Sequence, residues 1–158
     1  KFDSKGSITS SAFTISHSIT LIVAALGWVK IPVVPIEACI ALSIVFVAIE
    51  IIHGLQGRQG ITQRRPWLVA FFFGLLHGLG FAAALTEIGL PQNAILIALL
   101  IFNVGVEVGQ LIFVFSVFSV WLALKPLLLK RQALYIKISA YGIGSLASFW
   151  LIERLANF

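Results

Sequence analysis

Methionine is missing from all 158 residues, and Cys39 is the single cysteine. A lone thiol excludes an internal disulfide and any thiolate cluster, so Cys39 reads as a small packing residue. Without a Met, Lys1 is not an initiation product, and a processed or partial chain is expected. Charge is scarce as well, at 11% of residues against about 25% in ordinary soluble domains. The polar start KFDSKGSITSS has no apolar core of the signal-peptide kind. The formal net charge is +5, yet the basic residues form no stripe interleaved with aromatics. Nucleic acid is therefore not an expected partner.

What is abundant is apolar, with 59% hydrophobic residues and a mean hydropathy of +1.05. Five apolar spans emerge, at about 9–28, 34–52, 67–85, 94–124 and 133–151. They predict an all-α, polytopic membrane helix bundle, one domain over residues 1–158. Pro35 is tolerated in the first turn of the second span, and Pro66 closes the loop before the third. The fourth span is the anomaly. Some thirty residues make about 45 Å of helix for a hydrocarbon layer of about 30 Å, so it must tilt, protrude or break. Trp28, Trp67, Trp121 and Trp150 all fall near span ends and read as interfacial anchors.

Loop charge predicts orientation. Arg58, Arg64 and Arg65 lie between spans two and three, and Lys125, Lys130 and Arg131 between spans four and five. Lys1 and Lys5 fall on the same side, which the positive-inside rule makes cytoplasmic. Lys30, Glu87 and the C-terminus fall opposite. The N-terminus is expected inside and the C-terminus outside.

Against that background a few polar side chains stand out. His17, Glu50, His77, Asn103 and Glu107 lie within spans where a bilayer penalises each unless a partner, an ion or water receives it. His17 and His77 both enter from the cytoplasmic side, to depths of roughly 12–15 Å. Asn103, Glu107 and Gln110 share one face of the fourth span at overlapping depth. Glu50 lies nearer the cytoplasmic end, on the face of Ser43 and Cys39, and Glu37 nearer the outer end. His53 reads as a solvated end residue, and Glu87, Glu153 and Arg154 as end caps or an interfacial ion pair.

Span three carries a ridge of Gly74, Gly78 and Ala82, which predicts close helix approach and places His77 in a tight seam. Gly105 and Gly109 suggest the same around Glu107. Imidazole with carboxylate suits Ni, Co, Cu, Zn or Fe, so a divalent transition metal is the expected ligand. His17, His77 and Glu107, with Glu50 and Asn103, are its candidate ligands. Glu37, Gln110, Ser18 and Thr20 complete the polar interior. The bland alternative is that these groups bond one another and glue the bundle, at about 0.6 kcal/mol per contact. A non-catalytic helical subunit of a larger membrane complex also stays open. Catalysis is not expected, because Ser145 beside a histidine lacks the strained turn of a hydrolase nucleophile.

The strings FTISHSITL (13–21), VPIEACIALSIVFVAIE (34–50), FGLLHGLGFAAAL (73–85), GLP (89–91), FNVGVEVGQL (102–111) and FWLIERL (149–155) resemble the HupE/UreJ membrane proteins, specifically their larger second branch. The resemblance covers nearly the whole chain in order. It implies a permease or accessory protein supplying nickel or cobalt to hydrogenase or urease, in a bacterial cytoplasmic (inner) membrane. It also implies that His17, Glu37, Glu50, His77, Asn103, Glu107 and Gln110 occupy motif positions. Members usually carry a preceding helix with the pattern H-x-x-x-G-x-D-H, which nothing here matches. Lipid, other membrane subunits and that missing helix are the expected partners.

Overall fold

The computed structural model describes residues 4–29, 32–88, 94–128 and 131–157. Lys1, Lys30, Lys130 and the turn at Gly89–Pro91 lie outside them, as do the side chains of Lys5 and Glu87. Among the described residues there are six helices and no strand: α1 (Ser4–Ala25), α2 (Val33–Leu55), α3 (Ile61–Arg64), α4 (Pro66–Ile88), α5 (Ile95–Leu128) and α6 (Gln132–Ala156). The single turn α3 falls inside what reads in the sequence as plain loop.

Helix ends follow local chemistry. Gly27 and Gly57 adopt left-handed backbone, with φ of 75° and 78°. Each lets a following N–H fold back: Trp28 N–H to the Val23 carbonyl, Arg58 N–H to that of His53. Pro66 opens α4, where a missing N–H costs nothing.

Four helices, α1, α2, α4 and α5, contain stretches long and apolar enough to cross a membrane. The fifth expected span, α6, has the length, at 25 residues. Its Ser and Gly residues, with Lys137, Glu153 and Arg154, dilute its apolar character, so it falls outside that group. Even so, α6 lies antiparallel along α2: Gly144 meets Ala48 midway, and Arg154 reaches Glu37 at the far end.

The helices form two close pairs, α1 with α4 and α2 with α6, joined by a sparser α2–α4 contact. The α1–α4 seam is what the glycine ridge predicts. A Cβ on Gly74 would strike Ser16 Oγ and the Phe13 carbonyl, and one on Gly78 would strike Thr20 Oγ1 and the His17 carbonyl. Below them Leu21, Ala82 and Leu99 form a buried cluster.

Helix α5 meets the bundle only near its start, against α1 and, through the Phe81–Phe102 contact and the Leu21–Ala82–Leu99 cluster, against α4. It runs unbroken for 34 residues, about 51 Å at the α-helical rise. From Glu107 to Lys125 every side chain is exposed, so the long span neither breaks nor packs; it projects. The expected packing at Gly105 and Gly109 is absent, since a Cβ at either meets nothing within 4 Å.

Candidate functional site

The site is built on the α1–α5 contact. Phe13, Thr14 and His17 from α1 face Asn103, Val106, Glu107 and Gln110 from α5 across a cleft of about 10 Å³. Ser18 Oγ donates to Asn103 Oδ1 at 3.2 Å, and Asn103 Nδ2 donates to the Leu99 carbonyl at 3.1 Å. Together these bonds fix the amide beside His17. Only 3% of His17 is exposed, and its Nε2 makes no hydrogen bond of good geometry, although the Asn103 side chain lies close enough to interact with the ring. Buried polar atoms of folded proteins are overwhelmingly paired, so an orphan of this kind calls for an occupant.

Packing holds the imidazole in place. Phe13 stacks on one side, with centroids 5.8 Å apart and planes 17° apart. Phe81 meets it edge-on at 5.4 Å and is braced by Phe102 at 5.5 Å. Glu107 and Gln110 line the same cleft while remaining exposed on the α5 side.

His77 lies one ring away. Phe13 contacts it edge-on at 5.8 Å, and the two histidines are near enough for charge on one to be felt by the other. Its Nδ1 is 2.7 Å from the Phe73 carbonyl oxygen. Only an N–H can bond there, which in the neutral ring leaves Nε2 with its lone pair. His77 is half-buried rather than locked in the glycine seam. It lines two cavities between α2, α4 and α6: one of about 510 Å³, with Ser43, Tyr135 and Ser139, and one of about 420 Å³, with Glu37 and Arg154.

Residues 5–154 match the family model described as HupE / UreJ protein. The chain belongs to the HupE/UreJ family. Searches of curated proteins and of solved structures returned no match. The motif strings of this HupE/UreJ chain now have physical content. FGLLHGLGFA carries the small residues of the α1–α4 seam, Gly74, Gly78 and Ala82, and the histidine beside it, while FNVGVEVGQ carries the polar face that α5 turns to α1.

The remaining polar candidates are engaged elsewhere. The Glu50 carboxylate accepts the Ile61 N–H at 3.3 Å, the Thr62 N–H at 2.8 Å and the Thr62 hydroxyl, so it caps the N-terminus of α3. Gly60 makes room for it, since a Cβ there would collide with the carboxylate. Glu37 pairs with Arg154 at 3.1 Å, joining α2 to α6. Thr20 bonds back to the Ser16 and His17 carbonyls of its own helix. Among the described residues no three His, Cys, Asp or Glu side chains form a metal-sized group. The cleft thus offers one imidazole, one carboxylate and two amides, and His77 stands behind Phe13. Sequence reasoning missed the partitioning ring and, while it offered Arg154 to an interfacial ion pair, did not give it Glu37 as the partner. Phe13 lies one helical turn before His17, the one hint available.

Proposed function

We propose that this protein handles a divalent transition-metal ion within the membrane, as a permease or an accessory protein for a metalloenzyme. Nickel or cobalt is the cargo suggested by the family. The observation that carries the reading is the buried, unpartnered Nε2 of His17 in a cleft lined also by Glu107, Asn103 and Gln110. Nitrogen and oxygen donors of this kind suit borderline transition metals better than Ca or Mg. An imidazole and a carboxylate also lose their hold on an ion as they take up protons at lower pH, which allows the release that transport requires. The reading assigns no catalysis. It places the chain in a bacterial inner membrane with the arginine-bearing α2–α4 connection on the cytoplasmic side. It also takes α6 as a fifth crossing, because α6 runs the length of α2.

Titration of the purified protein with Ni²⁺, Co²⁺, Cu²⁺ and Zn²⁺ tests this. His17→Ala combined with His77→Ala is expected to abolish retention while the helical bundle survives. Unchanged retention of all four ions would sink the metal reading. A second reading, a non-catalytic subunit of a larger assembly, draws on the uncovered length of α5 from Glu107 to Lys125. Copurification of a fixed partner, with no metal bound by the isolated protein, would favour it.

A further inference from the structure

We propose that Phe13 is a gate between the His17 cleft and the larger cavity, so that a cation meets His77 first and His17 second. The proposal takes its ligand from the metal reading above and its route from geometry alone.

The cleft has only about 10 Å³ of space, at the lower limit of about 10–15 Å³ for one water. No hydrated ion enters it unless a wall moves. Next to it lies the 510 Å³ cavity, and Phe13 is the residue that lines both. The outer side of the cleft, at Thr14, Glu107 and Gln110, is exposed and looks onto the apolar surface of α5, whereas the walls that face the bundle are poorly placed to yield. Backbone of α1 is pressed onto Gly74 and Gly78. Asn103 is tied to Ser18 and to its own helix. Phe81, on the far side of His17, is braced by Phe102. The Phe13 ring, by contrast, is held by edge and face contacts with the two histidines it separates.

A rotation of that one side chain joins the cleft to a cavity whose other polar lining is Ser43, Tyr135 and Ser139. That cavity reaches Ile51 and Tyr135, toward the end of the bundle that carries Arg58, Arg64 and Arg65. His77, its Nε2 free, is then the first nitrogen donor on the route. This ordering explains why two histidines at similar depth do not share one site.

The test is the reactivity of His17 toward diethyl pyrocarbonate in the metal-free protein, read by mass spectrometry. His17, His53 and His77 are the only histidines, so each is assigned by its peptide. In the native chain His17 should react slowly, and the half-buried His53 and His77 faster. Phe13→Ala should raise the His17 rate by about tenfold, the factor that a ring contact of this type is worth at its upper end. Rates at His53 and His77 should hold. Phe13→Leu, which keeps most of the apolar volume, should give a smaller rise in the same direction, and Phe13→Trp none. An unchanged His17 rate in both smaller variants overturns the gate. So does a parallel rise at all three histidines, which marks general loosening. Ni²⁺ added to Phe13→Ala should then protect His17; if opening occurs without protection, the gate stands and the metal reading fails.

Discussion

Adding a single carbon at Gly78 should loosen the whole α1–α4 pair. A Cβ there overlaps the His17 carbonyl and Thr20 Oγ1. The hydroxyl has rotamer freedom, but the carbonyl belongs to the helix backbone, so α1 itself must retreat. Overpacking of this kind costs about 1–3 kcal/mol. Replacing Gly by Ala inside a helix also returns about 0.5–1 kcal/mol of backbone entropy, which partly masks the cost. Gly105→Ala supplies the correction, because a Cβ at Gly105 meets nothing within 4 Å. Subtracting the two removes the helix-propensity contribution and leaves the seam. We expect Gly78→Ala to be less stable than Gly105→Ala by about 1–3 kcal/mol, with Gly105→Ala at or above the native chain. Reversible unfolding in mixed detergent and SDS micelles, followed by tryptophan fluorescence, gives both values. Equal shifts at the two glycines would refute the close-packed seam. Because the displaced carbonyl is that of His17, metal retention should fall with stability in Gly78→Ala and hold in Gly105→Ala.

The capping role of Glu50 predicts that Glu50→Ala lowers stability by about 1 kcal/mol while leaving metal titration unchanged; a lost binding step would return Glu50 to the ligand set. The Glu37–Arg154 pair is more than a third exposed on each side chain, so a double-mutant cycle with Glu37→Gln and Arg154→Gln should give a coupling of only about 0.2–1 kcal/mol. A coupling of several kcal/mol would show the pair to be desolvated in the membrane. Glu107→Gln, at an exposed site on α5, should weaken Ni²⁺ binding with little loss of stability, and an unchanged binding isotherm would remove Glu107 from the cleft's chemistry.

Composition and periodicity alone determined that this chain is helical and membrane-like. Long uncharged runs cannot satisfy their backbone in lipid except as helices, whatever their neighbours. Four of the five expected spans meet the demands of length and apolarity, and the glycine ridge of α4 was legible because small residues let helix backbones approach closely in lipid. The polar face Asn103–Glu107–Gln110 was legible too, since its spacing needs only helical geometry. What no pattern contains is which helix stands beside which. The same small-residue spacing occurs in α4 and α5, yet only α4 has a partner pressed against it. Glu50 and Glu107 look alike in sequence; one is claimed by the N–H groups of α3, eleven and twelve residues away, and the other is left facing α1. Two histidines at one depth read as one site until an aromatic ring is seen between them. Depth follows from counting residues along a helix. Azimuth and neighbour follow from packing, which is decided by the whole chain at once.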